Sequence, residues 1–192
     1  MGFAALLERH GSASAALKAL RRDGRRVPER AALAAELATL DEMDATLLIR
    51  AGEGYPPPLA AIPDAPPAVT VRGDVALLQR QAVAIIGARN ASGNGRAFAR
   101  MLGRELAAAG LVIVSGLARG IDTAAHEGAL AAQGATVAVI ATGVDVAYPP
   151  ENHALMEQIA HTGAVVSERP LGADARAKDF PRRNRVIAGL SL

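Results

Sequence analysis

The 192-residue sequence predicts an α/β fold: a doubly wound, mostly parallel sheet preceded by a small helical domain. Three observations carry that expectation. Four short β-branched apolar runs, VAIIG (83–87), LVIVSG (111–116), TVAVIATG (136–143) and AVVSE (164–168), begin 28, 25 and 28 residues apart. Helical patterns at 95–109, 122–133 and 151–161 fill the gaps between them. The runs are apolar throughout rather than alternating, as strands covered on both faces are. Right-handed crossovers then give an extended Rossmann-like arrangement.

Residues 1–48 read as a small helical N-terminal module (SAM-like). FAALLERHG stops at Gly11, Ser12 or Ser14 caps a second helix running to Leu20, a third reaches Leu40, and a short fourth starts at Asp41. In the turn RRDGRRVPER, the cluster Arg21, Arg22, Arg25, Arg26 and Arg30 reads as a solvated turn and helix face rather than a DNA contact. Residues 49–192 make the second domain. Its opening, AGEGYPPPLAAIPDAPP (51–67), holds six prolines, a density that argues against helix and central strand and for an extended connector. AVTVRG (68–73) reads as a strand. The final RNRVIAGLSL is an apolar helix-like run where such a fold ordinarily adds further strands, so the domain is expected to be truncated at its C-terminus.

Composition narrows the function classes. With 51% apolar and 21% charged residues, a packed core is expected rather than disorder. No apolar stretch approaches the roughly eighteen residues of a membrane span, and MGFAALLERHGSAS lacks the basic start of a signal peptide. The absence of cysteine excludes disulfides and thiolate metal sites and fits a reducing cytosol. A net charge of +2 does not by itself announce a nucleic-acid partner. Of the 21 cations, Lys18 and Lys178 alone are lysines. The Ala/Arg/Gly/Pro bias of a GC-rich genome accounts for most of the arginine, so functional arginines must be chosen by position.

Ligands of open parallel sheets sit beyond the carboxyl ends of the strands. After the first strand, GARNASGNG lacks the dinucleotide pattern G-x-G-x-x-G, because Arg89 stands where the second glycine would be. Gly87, Ser92 and Gly95 still form a permissive turn into a helix, and Arg89 adds a planar charge suited to phosphate. The plainer reading is a tight turn with Arg89 in solvent. In SGLARGIDTAAH (115–126), Gly116 and Gly120 permit the turn, Arg119 is the anion candidate, and Asp122 is placed to N-cap a helix carrying His126. Ser115, His126 and Asp122 invite a triad reading. The serine lacks the G-x-S-x-G elbow, however, and capping with a local Asp122–His126 hydrogen bond explains the pair more simply. A metal site there lacks a spaced third ligand. Asp145 reads as a loop acceptor, Pro149 and Pro150 as structural, and His153 and His161 as surface residues. The fourth strand ends in Ser167, Glu168 and Arg169, and Arg169 and Ser115 stand with the other strand-end residues as candidates for DNA or phosphate. In the tail AKDFPRRNRVIAG, Arg182, Arg183 and Arg185 flank Asn184, a pattern for an anion or for internal carboxylates such as Glu168 or Asp122. Aromatics are few, so a platform stacking successive bases is not expected, and phosphate contacts would dominate.

The order of these pieces is specific. GYPPPLAAIPDAPPAVTVRG, GARNASGNG, SGLARGIDTAAHEGAL, GVDVAYPPEN, SERPLG and FPRRNRVIAGLS together resemble the DNA-processing protein A (DprA/Smf) family across residues 50–192. The resemblance implies a cytoplasmic, homodimeric protein of natural transformation. Such a protein binds single-stranded DNA, protects incoming strands and helps load RecA, without enzymatic turnover or cofactor. Carried over, Arg89, Arg119, Gly120 and the group Arg182, Arg183, Asn184 and Arg185 would line the strand-holding pocket. No lysine occurs between Ala19 and Ala177, so a lysine contact found near the Y-P-x-E-N motif in some relatives has no counterpart. No residue is assigned to dimerisation or to RecA. A rival reading, a phosphoribohydrolase-like nucleotide enzyme, wants a P-G-G-x-G-T-x-x-E loop that this sequence lacks. A dinucleotide oxidoreductase is opposed by Arg89.

Overall fold

A computed structural model describes residues 3–50 and 52–192. The chain divides between Glu42 and Met43 into two compact units. The first consists of helices α1 (Phe3–His10), α2 (Ala13–Arg22) and α3 (Arg30–Glu42). Ser12 is the cap of α2, its Oγ accepting from the Ala15 amide at 3.2 Å.

The fourth helix expected from Asp41 is replaced by strand β1 (Ala45–Ile49). The α/β unit therefore begins at Met43 rather than at residue 49. ATLLI has fair helix propensity, but strand β2 (Ala68–Gly73) offers it a partner from Ala45↔Arg72 to Ile49↔Ala68. Sheet pairing overrides local preference. The proline-rich connector also departs from expectation, because Pro57–Ala61 forms the short helix α4. Its prolines occupy the first turn, where an N–H has no intrahelical partner to lose. Tyr55 then staples the connector, donating its buried hydroxyl to the Pro66 carbonyl at 2.7 Å.

The remaining strands are β3 (Ala82–Ala84), β4 (Val112–Ser115), β5 (Thr136–Ile140) and β6 (Ala164–Ser167), joined by helices α5 (Gly93–Ala108), α6 (Ile121–Ala131) and α7 (His153–Thr162) and followed by α8 (Asp179–Gly189). The sheet runs β1-β2-β6-β5-β4-β3. Strands β3 to β6 are parallel, and β2 is antiparallel to both its neighbours. This is the extended Rossmann-like α/β fold that the strand spacing predicts. The parallel strands add in chain order, so right-handed crossovers place α5, α6 and α7 on one face. Helices α4 and α8 cover the other.

Side chains sort accordingly. Val112, Val114, Val137, Val139 and Val166 pack with Leu59 of α4 and with Val186 and Ile187 of α8. Ile113, between two of them, packs instead with Ala107, Ala125 and Ala129 of α5 and α6. Those two helices touch backbone to backbone: a Cβ at Gly103 or Gly128 would overlap the Ala125 or Arg100 carbonyl. The close fit fixes the two loops that precede these helices, and with them the carboxyl edge of the sheet. Among the described residues, no helix is long and apolar enough to cross a membrane.

Candidate nucleic-acid interface

Each parallel strand ends in a loop at the same edge of the sheet. After β4 the chain must reverse tightly into α6. Gly120 allows this with φ +81°, and a Cβ there would sit 2.6 Å from the Arg89 carbonyl oxygen, so the turn rests directly on the Arg89 loop. Gly120, not Asp122, is the N-cap residue of α6. Asp122 lies one step into the helix, buried, its two oxygens accepting from the Gly87 and Gly116 amides at 3.2 Å each. An internal carboxylate thus fills the space between two strand-end loops where an anion would otherwise bind. Burial pushes the Asp122 carboxyl up, while those amides and the nearby Arg183 pull it down.

The expected Asp122–His126 hydrogen bond does not form. His126 is wholly buried, its Nδ1 lying 2.7 Å from Thr136 Oγ1, which gives its own proton to the Ile113 carbonyl at 2.8 Å. The hydroxyl therefore accepts, Nδ1 carries the proton, and Nε2 has no partner. Burial, with the Arg183 charge nearby, pushes the imidazole down to about 3. Ser115 is equally buried and donates to the Ile85 carbonyl at 2.6 Å. The three residues of the triad reading serve three separate partners.

From the opposite face, α8 delivers Arg183. Its Nη1 donates to the carbonyls of Gly116, at 2.6 Å, and Val139, tying the ends of β4 and β5 together. Glycine at 116 leaves room for this guanidinium, which a Cβ there would overlap. Arg183 is 7% exposed and its Nε has no partner. Burial lowers its pKa and Asp122 opposes that shift, but a guanidinium keeps its charge at any ordinary pH. Phe180 precedes it by three residues and so shares its helix face. The Arg89 guanidinium carbon lies 4.6 Å from the Phe180 ring centroid, a cation–π contact. Tyr148 packs on Phe180 with centroids 5.4 Å apart and planes tilted 49°. Arg89, Gly116, Arg119, Tyr148, Phe180 and Arg183 thus line one open cleft at the carboxyl edge. Arg119 is exposed and pairs with Glu151, which it holds below the usual carboxylate range.

The cleft gathers some of the residues singled out in the sequence and leaves others aside. Arg89, Gly116, Arg119 and Arg183 meet in it, and Gly120 shapes it. The Gly87 amide is engaged by Asp122, and the Gly95 amide by the Ser92 Oγ that caps α5, at 3.1 Å. Arg182 and Arg185 share Glu168, and Arg185 also donates to the Asp64 carbonyl. Arg169 lies 3.9 Å from Asp179, in a smaller recess with Arg182 and Arg183. Asn184 is exposed outside the cleft. Asp145 accepts from the Gly172 amide at 2.8 and 2.9 Å, as a loop-bracing residue.

Two features escaped the sequence reading. The stacked pair Tyr148 and Phe180 escaped it because its members lie 32 residues apart (180 − 148); the i,i+3 spacing of Phe180 and Arg183 was the available signal. Asn152 is the other. Buried, it donates to the Leu117 carbonyl at 2.8 Å and to Thr123 Oγ1 at 2.9 Å, locking the loop after β5 to the loop after β4.

Fold and cleft together define a class: a Rossmann-like α/β protein whose strand-end loops and last helix offer arginines and aromatic rings in place of a dinucleotide fingerprint. Within that class, the chain belongs to the DNA recombination-mediator protein A family, whose model matches residues 46–192. It is 43% identical over 141 residues to protein Smf of Synechocystis sp., covering 71% of this chain and 35% of that relative. It is 45% identical over 136 residues to DNA processing protein DprA of Streptococcus pneumoniae, covering 71% of this chain and 48% of the relative. The chain thus spans half or less of the length of these curated relatives. The X-ray structure of the S. pneumoniae DprA superposes with a TM-score of 0.73 at 39% identity, covering 80% of this chain and 55% of that one. DNA processing protein A of Helicobacter pylori, a structure described for its single-stranded DNA binding mode, gives 0.70 at 33% identity, covering 78% and 66%.

Proposed function

We propose that this cleft holds single-stranded DNA and that the chain acts in recombination as a binding protein without turnover. It would protect incoming strands in natural transformation and help load RecA, working as a homodimer in the cytoplasm. One observation carries the reading: Arg89, unpaired with any carboxylate among the described residues, stands over Phe180 beside the buried charge of Arg183. Arg89 supplies a planar cation for a phosphate. Arg183 makes the floor positive. The part-exposed Tyr148 ring offers a face for one unpaired base. Membership of a recombination-mediator family and the single-strand binding of the H. pylori relative support the same reading.

Arg89→Ala tests it directly. A charged hydrogen bond contributes about 1.5–3 kcal/mol, so affinity for a thymidine oligomer should fall roughly ten- to a hundredfold. Fluorescence anisotropy reads the change, and unaltered affinity would refute the cleft.

A further inference from the structure

The helical unit carries a cationic surface of its own. Arg9 at the end of α1, Arg22 at the end of α2, and Arg25 and Arg26 in the turn beyond line a groove of about 650 Å³, with Leu6 and Leu20 among its apolar walls. None of these arginines forms an ion pair among the described residues. Asp23 is the acid that shares the groove. Charge is segregated along this unit. Residues 8–26 hold six cations against Glu8 and Asp23, whereas α3 holds Glu36, Asp41 and Glu42 against Arg30.

Helix dipoles explain part of the pattern, since Arg9 and Arg22 lie in last turns, where cations are favoured. They do not explain Arg25 and Arg26, which follow the helix and add like charge to a crowded rim. Such a cluster is relieved by a bound polyanion. We propose that this groove binds the sugar–phosphate backbone of nucleic acid, as a second contact separate from the cleft. Guanidinium forks suit phosphate oxygens, and the apolar walls suit sugar and base faces. DNA is the polyanion at hand for a chain of a recombination-mediator family. Two linked sites would strengthen binding to long strands beyond either alone.

The experiment uses the full chain and thymidine oligomers of about six and about forty nucleotides, the shorter matching a single site. Arg22→Gln/Arg25→Gln/Arg26→Gln should leave the short oligomer's affinity unchanged and weaken the long one about tenfold. The log–log salt slope for the long oligomer should become shallower by up to about 2, at roughly 0.7 per phosphate. The pair Arg25→Gln/Arg26→Gln, outside any helix, serves if the triple variant loses helicity, and should lower the slope by about 1.4. An unchanged slope for the long oligomer overturns the proposal. So does polyglutamate that displaces it from the wild type as well as DNA does, which would mark an acidic-peptide surface. Arg89→Ala, measured in parallel, separates the two sites. Loss in Arg89→Ala with none in the groove variants leaves the cleft reading standing and this one refuted, and the reverse pattern does the opposite.

Discussion

His126 makes the stability of the α/β unit depend on pH. In the unfolded chain its imidazole titrates near 6.5, and in the fold burial pushes that value down to about 3. Between those values the unfolded chain binds the extra proton. Stability is therefore complete above about 6.5 and declines as pH falls toward 3. At about 1.4 kcal/mol per pH unit, the loss is on the order of a few kcal/mol. Asp122, whose carboxyl is pushed up, works in the opposite sense at the acid end, because the folded state there keeps a proton that the unfolded chain gives up. The urea midpoint should drop between pH 6.5 and 4 in the wild type and stay flatter in His126→Leu, whatever that variant's absolute stability. A wild-type midpoint constant over that range would contradict a neutral, buried imidazole. The sequence made His126 legible as a neighbour of Asp122 on a helix, but not its burial. Likewise, glycine at 116 was legible as a turn residue, while its reason, the guanidinium of Arg183, lies 67 residues away. Local signals name such residues; the partner that explains them arrives through tertiary packing.

At the level of elements, the four parallel strands could be read because continuous β-branched runs at regular spacing have few other uses. Of the two segments that depart from expectation, the state of β1 is decided by a neighbour and that of α4 by the position of its prolines. The five residues of β1 become a strand because β2 lies beside them, and α4 tolerates prolines because they fall at its start. The cleft inherits the same division. Its loops follow the strands and were anticipated, whereas the contact between the loop after β5 and α8 that brings Tyr148 to Phe180 was not. That contact carries a prediction. Base–aromatic stacking contributes about 1–3 kcal/mol per base, so Tyr148→Ala should weaken thymidine-oligomer binding several-fold to about a hundredfold. Tyr148→Phe should retain it, because the ring face and not the hydroxyl is used. An abasic oligomer should bind wild type and Tyr148→Ala alike. Equal loss in the Phe and Ala variants would mean that the hydroxyl rather than the ring face makes the contact, and an abasic oligomer weakened as much as the intact one by Tyr148→Ala would mean that the ring supports the loop rather than a base.

Across the whole molecule the net charge of +2 supplies little long-range attraction, so affinity must rest on local cations and on how many of them are free. Most cleft and tail arginines are engaged within the protein: Arg183 with two carbonyls, Arg182 and Arg185 with Glu168, Arg119 with Glu151. Arg89 is the cleft arginine left with neither a carbonyl nor a carboxylate partner among the described residues. Phosphate binding should then be shallow in salt at the cleft, near −0.7 in log–log slope for each phosphate met. The Arg119–Glu151 pair is exposed on both sides, and exposed pairs are cheap to separate. Glu151→Gln should therefore free Arg119, tighten oligothymidine binding and steepen the slope by about 0.7. Glu168→Gln is the contrasting case, since the cations it releases lie outside the cleft. It should lower thermal stability and leave the short-oligomer slope unchanged. If Glu151→Gln leaves the slope where it was, Arg119 meets no phosphate, and the cationic edge narrows to Arg89 above the fixed charge of Arg183.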